Sequence, residues 1–308
     1  MSYAHHHGHS HSHANLRGER KQGQRGLTIA LALTLAVFTA ELIGAIVGGS
    51  LALLADAGHL LADAGSLGLA LLAGWMASRP AAGRRTFGWQ RVEILAALAN
   101  GLVLVLIALA TVVEATRRLQ DPSTVAGGVT LTVAAIALCF NLTSGAVLAR
   151  SGSGLNVRAA MRHVLADALS SLGVIVAAVA ILAAGWQRAD PIASILIALL
   201  ILLSAVSIVR ESLDVLLEAA PTGIDVTRMG ASMAAVDGVI EVHDLHVWTV
   251  TSGFPAVAAH VTVRADCEPS LVRRRTAEML RNHFGVEHST LQVERAGNEH
   301  NLLQIRRS

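Results

Sequence analysis

Long runs of apolar residues restrict this chain more than any other feature. Six of them occur, at about Leu27–Gly48, Leu51–Ala77, Val92–Thr116, Ala126–Ala149, Ala159–Ala184 and Pro191–Val209. A bilayer core about 30 Å thick takes roughly 20 residues of helix to cross, and lipid tolerates no irregular backbone. Each run is therefore expected to be a membrane-spanning helix. The breaks between them look like turns: Gly48-Gly49-Ser50, Arg79-Pro80 through Gly88, Gln120 to Ser123, Ser151 to Gly154, and Gly185 to Pro191. Only 15% of the 308 residues are charged, against about 25% in a soluble domain. The shortage ends after Pro221, so a soluble domain is expected to follow the membrane domain. A net charge of +2 is too small to argue for a nucleic-acid partner. Cys139 and Cys267 make neither a CxxC motif nor a disulfide framework.

Positive residues favour the cytoplasmic side of short loops. With the N-terminus inside, that side collects Arg17, Arg20, Lys21, Arg25, Arg79, Arg84, Arg85, Arg91, Arg150, Arg158, Arg162 and Arg210. The other side holds Arg117, Arg118 and Arg188. Both termini are expected in the cytosol. The N-terminus reads as free of a secretory signal, because its apolar run lacks a small-residue cleavage site.

From about Ala219 the pattern changes. Asp225–Val236 reads as an amphipathic helix, Val239–Thr251 and Ala256–Arg264 as strands, Ser270–Phe284 as a helix and Thr290–Glu294 as a short strand. The order αββαβ implies a small α+β domain with helices on one face of a sheet.

Two helices carry chemistry. The second contains His59 and Asp63, the fifth His163 and Asp167. A spacing of four puts each pair on one helix face, one turn apart. Ionisable groups inside a bilayer are costly and face a partner or a water-filled cavity. Together the pairs offer two imidazole nitrogens and two carboxylates, a set that suits tetrahedral Zn2+. The competing reading is a pair of helix–helix hydrogen-bond clamps. Asp56, one turn before His59, fits either a supporting role at the site or a bond to a neighbouring helix. Glu41, Asn100 and Asn141 also lie inside spans, without an assigned role.

Three stretches then carry a resemblance. GSLALLADAGHLLAD at 49–63 and FGWQRVEILAA at 87–97 resemble signatures of the cation diffusion facilitator family. VHDLHVW at 242–248 is similar to the bacterial zinc, cadmium and cobalt exporters of that family. The resemblance runs from about Leu27 to Glu294. It implies a homodimeric, proton-coupled exporter with six transmembrane helices per subunit and a small α+β cytosolic domain of ferredoxin-like, metallochaperone-like shape. It also implies that His59, Asp63, His163 and Asp167 bind the transported ion. Some members have a further site between helices two and three; the loop RPAAGRRT at 79–86 holds no ligand for it.

In the soluble part the resemblance points to a regulatory zinc site with ligands best matched by His246, His260 and His288. Glu294 and His243 are further candidates, and the competing reading is a set of surface histidines on a solvated sheet. At the N-terminus, HHHGHSHSH at 5–13 has a metal-binding composition; a solubilising tail is the alternative. The expected organisation is a histidine-rich cytosolic tail at 1–26, a transmembrane domain at 27–211, a cytosolic metal-binding domain at 212–296 and a loose tail at 297–308.

Zinc export across the bacterial inner membrane, driven by protons and with lipid as surrounding solvent, is the leading expectation. An enzyme is not expected: an intramembrane zinc hydrolase needs an open ligand position and a general base, and neither HExxH nor GxSxG occurs. A membrane-bound metal sensor without transport is the alternative.

Overall fold

The computed structural model of the chain describes residues 31–77, 83–84, 86–149 and 155–296. The expected tails at 1–26 and 297–308 lie outside the described residues. So do the first residues of the first span, residues 78–82 and 85 of the second turn, and the whole of the expected turn at 151–154. Among the described residues the chain divides into two compact units. One runs to Trp75 and resumes over Ala96–Val209, and the other joins Met76–Leu95 to the chain from Arg210 onward.

The first unit is helical. Its elements are α1 (Leu31–Gly48), α2 (Leu51–Ala77), α3 (Arg91–Gln120), α4 (Gly127–Ala149), α5 (Leu155–Ala184) and α6 (Ala189–Leu216). Five of them, α1 and α3 to α6, are long and apolar enough to cross a membrane. The sixth, α2, is 27 residues long and carries Asp56, His59 and Asp63 within its apolar run. The outward faces stay apolar: Ile46 is 72% exposed and Leu106 67%. Such faces are stable only against lipid, and the chain is an integral membrane protein.

Small residues set how closely the helices approach. The buried cluster is rich in alanine, including Ala45, Ala52, Ala55, Ala62, Ala108, Ala177 and Ala205. In a bilayer no hydrophobic effect drives helix association, so close van der Waals packing between small residues does. At Gly58, one residue before His59, a Cβ would come within 2.9 Å of Ile107 Cγ2 on α3.

The start of α2 is anchored with unusual completeness. Gly49 turns the chain with φ +66°, a conformation that suits glycine. The Ser50 hydroxyl accepts from Leu53 N–H (3.2 Å) and donates to Asp190 Oδ1 at the start of α6 (2.5 Å). Asp190 Oδ2 accepts from Leu51 N–H at 2.8 Å, and Asp190 is fully buried. A carboxylate thus satisfies helix N–H groups that no turn of helix precedes, and it complements the positive end of the helix dipole. Nearby, Arg118 donates to Gly49 O (2.8 Å) and Gln187 Oε1 accepts from Val125 N–H (3.0 Å).

The second unit holds α7 (Val226–Ala234), β1 (Val239–Thr251), β2 (Phe254–Val263), α8 (Pro269–Phe284) and β3 (His288–Arg295). The sheet order is β1-β2-β3, antiparallel then parallel. The expected αββαβ order holds, with β2 starting at Phe254 because Gly253, at φ +72°, closes a tight turn after Thr251. Met229 and Met233 of α7, with Val272 and Leu280 of α8, pack against Val257, Ala259, Val261 and Val263 of β2. Alternation along the strand sends Ala258, His260 and Thr262 to the opposite, solvent side.

Candidate metal centres

In the helical unit, the four-residue spacing on α2 brings His59 and Asp63 together, with Nε2 and Oδ2 3.6 Å apart. From α5, Asp167 Oδ1 approaches the same His59 Nε2 at 3.4 Å. One ligand atom from each of the three residues lies within 4.8 Å of the others. A tetrahedron with bonds of about 2.1 Å has edges of about 3.4 Å. The two histidine–carboxylate separations are close to those edges, and the third pair lies within 4.8 Å, so the three residues fit the corners of one metal site. His163 lies on α5 one turn before Asp167; its side chain lies outside the described residues.

A cavity of about 530 Å3 reaches this cluster. Its walls include Leu33 and Thr34 of α1, Asp63 and Ser66 of α2, Asn141 and Ser144 of α4, and Val164 and Asp167 of α5. These positions lie toward the start of α1 and α5 and toward the end of α4. Asn141 donates to the Ser171 hydroxyl (3.4 Å) and Asn100 to Ser66 (2.8 Å), so the two asparagines pair with serines on neighbouring helices. Asp56 is buried, and its Oδ1 accepts from the Ser170 hydroxyl at 2.6 Å. It stands beside the cluster without belonging to the converging group.

In the sheet unit a second group converges. His243 and His260 are register partners across β1 and β2, with ring centroids 5.3 Å apart. Asp244 joins them, again with one ligand atom per residue within 4.8 Å. Asp244 has φ +50°, and the register shifts between His243 and His246. Three residues on β1 there face a two-residue step on β2, which is a β-bulge. The bulge puts His246, opposite Ala258, on the same face as His243. His246, Asp244 and His260 line one open cavity of about 230 Å3 with Thr290 and Gln292.

The other sheet candidates stand apart from that trio. Glu294 pairs with Thr262, one same-face step beyond His260, and the Gln292 amide donates to its carboxylate. His288 pairs with Ala256, four residues from the His260 position, or about 13 Å at roughly 3.3 Å per residue. Its ring instead meets Phe87 at 5.9 Å and Phe254 at 5.8 Å, both edge-on. Asp244 went unread in the sequence because strict alternation from His243 sends it to the opposite face. A bulge reverses that parity, and the only sequence signal for it was two histidines spaced by three on one strand.

Comparison with known proteins gives concordant matches. The family model for the cation efflux transmembrane domain matches residues 27–217. The model for the cation efflux protein cytoplasmic domain matches residues 221–296. A protein of Bacillus subtilis named cadmium, cobalt and zinc/H(+)-K(+) antiporter is 38% identical over 283 residues, covering 89% of this chain and 90% of its own. The zinc transporter ZitB of Escherichia coli is 40% identical, over 88% of this chain and 87% of its own. The metal cation efflux system protein CzcD of Cupriavidus metallidurans is 38% identical, over 89% and 87%.

Proposed function

The chain belongs to the cation efflux family, and on that premise we propose that it exports Zn2+ from the cytosol in exchange for protons. The names of its relatives support a divalent transition-metal cargo and a proton counter-ion. One observation carries the reading: a histidine and two carboxylates from two helices converge, at tetrahedral spacing, where a cavity ends inside an apolar bundle. His163 supplies the fourth ligand from the same face of α5 as Asp167. Borderline nitrogen with two carboxylates favours Zn2+, and Cd2+ and Co2+ share those ligands, over Mg2+ and Ca2+, which want six or more oxygens. A site closed by four protein ligands suits carriage rather than hydrolysis, so the chain acts as a transporter and not an enzyme.

Proton coupling follows from ligand chemistry. Binding requires neutral histidine and ionised aspartate, so the metal displaces protons and protons displace the metal. A site exposed to the two sides in turn thereby exchanges one for the other. Arginine placement favours the cytosolic side of a bacterial inner membrane for both termini, and the residues that line the cavity lie toward the helix ends expected on that side. The organisation is a tail at 1–26, a transmembrane domain at 27–211, a cytosolic domain at 212–296 and a tail at 297–308. The protein works as a homodimer. On the cytosolic sheet, His243, Asp244 and His260, with His246 beside them, hold a regulatory zinc ion.

The test is metal flux in liposomes containing only the purified protein. Zn2+ is expected to move against an opposed pH gradient, with no flux of Mg2+ or Ca2+. Zinc binding without flux would leave a metal sensor in its place.

A further inference from the structure

Two buried polar residues next to the membrane cluster have no place among its ligands. Asp56 of α2 is 4% exposed and Ser170 of α5 6%. The Ser170 hydroxyl donates to Asp56 Oδ1 at 2.6 Å, across the two helices that carry the ligands. The same hydroxyl lies 3.0 Å from the backbone carbonyl oxygen of Asp167, one turn earlier on α5. The contact between the helices therefore reaches the backbone of a ligand residue.

The places of the two residues along their helices are reciprocal. Asp56 precedes His59 by three residues on α2, whereas Ser170 follows Asp167 by three on α5. The helices thus run antiparallel here, and Asp56–Ser170 and His59–Asp167 are successive rungs about 4.5 Å apart. His59 and Asp63 share one helix, so helical geometry governs their spacing. The His59–Asp167 separation of 3.4 Å depends instead on how α5 lies against α2. The packed residues of these helices are small or aliphatic, among them Ala55, Ala62, Val174 and Ala177. Such residues let helices approach closely. A hydrogen bond weakens steeply away from its preferred angle, so it also fixes their register.

We propose that Asp56 and Ser170 are positioning residues. Their hydrogen bond sets the separation and register of α2 and α5, and so holds His59 and Asp167 near the spacing of a zinc tetrahedron before the ion arrives. Neither residue is a ligand in this arrangement. The inference deepens the transport reading and rests on the cluster being the cargo site. Ligands held in advance cost less to order when the ion binds. They also discriminate by size, since an ion larger than Zn2+, such as Cd2+, needs the helices farther apart.

Calorimetry on the purified chain without residues 1–26 and with His243→Ala, His246→Ala and His260→Ala reads zinc at the membrane cluster. In that background Ser170→Ala removes one oxygen atom and is expected to weaken zinc binding about tenfold. The ratio of Cd2+ to Zn2+ affinity is expected to rise about threefold or more, which a general loss of packing would not produce. Asp56→Asn keeps an oxygen that accepts from Ser170 and is expected to stay within about threefold. In an Asp56→Ala chain the bond is already gone, so adding Ser170→Ala is expected to cost less than about twofold more. Unchanged zinc affinity in Ser170→Ala overturns the proposal. So does a fixed Cd2+ to Zn2+ ratio, which leaves packing alone. Asp56→Asn as damaging as Asp56→Ala overturns it too, because the charge of Asp56 rather than its bond then matters. These readings come from binding and stand apart from flux. A chain that binds zinc at the cluster but moves none in liposomes defeats the transport reading alone.

Discussion

The membrane cluster and the sheet cluster use the same two side chains, histidine and aspartate, in opposite settings. Between α2 and α5, His59, Asp63 and Asp167 are shielded from solvent inside the bundle. On the sheet, His243 and Asp244 are exposed and His260 is half-buried. Burial makes the first group expensive to keep without an ion, since each charge is held away from water. Exposure makes the second cheap to keep empty and quick to exchange. A carrier needs the first kind of site, enclosed and reached through one cavity. A sensor of cytosolic metal is served by the second, which water reaches freely.

That contrast breaks if the two clusters respond alike to mutation. The largest expected effect is on flux. Asp167→Ala lowers zinc flux by about 100-fold or more, because even partners one shell beyond a metal already contribute about 10–100-fold. His260→Ala, in the same liposome assay, keeps flux within about threefold. Equal losses in the two variants would remove the distinction between cargo site and regulatory site.

A smaller effect sharpens the exposed side of the comparison. In a chain without residues 1–26 and with its membrane cluster disabled by Asp63→Ala and Asp167→Ala, calorimetry reports the sheet site alone. There Asp244→Asn is expected to weaken zinc binding about tenfold, or roughly 1.4 kcal/mol. Asparagine tolerates positive φ at least as well as aspartate, so the bulge persists and the change reads the carboxylate alone. Unchanged affinity would reduce the site to its histidines.

The two regions also differ in how far the sequence disclosed them. On helices the period is regular, so residues four apart share a face wherever the helix begins and ends. His59 with Asp63 could be read as a pair for that reason, and Asp167 was reached by the same spacing from His163. The run lengths gave six spans; α3 and α6 simply continue beyond them, to Gln120 and Leu216. On the sheet the order of elements was legible, but the facing of each side chain was not. One extra residue at the β1 bulge brings His243, Asp244 and His246 to one face, and no propensity reveals that step. His288 was legible only as a histidine on a strand. Its neighbours Phe87 and Phe254 come from distant segments. The Asp190 anchor on α2 was equally hidden, because 139 residues separate Asp190 from Leu51.

The central claim is that the ion passes through the enclosed cluster, and locating zinc in the molecule tests it most directly. Crystals of the full chain grown with Zn2+ and measured on either side of the zinc absorption edge would give an anomalous map. The account predicts a peak between His59, Asp63 and Asp167, within about 2.0–2.2 Å of the ligand atoms. Asp63→Ala should abolish that peak and spare any peak at His243, Asp244 and His260. Zinc found only on the sheet, with nothing between α2 and α5, would contradict it.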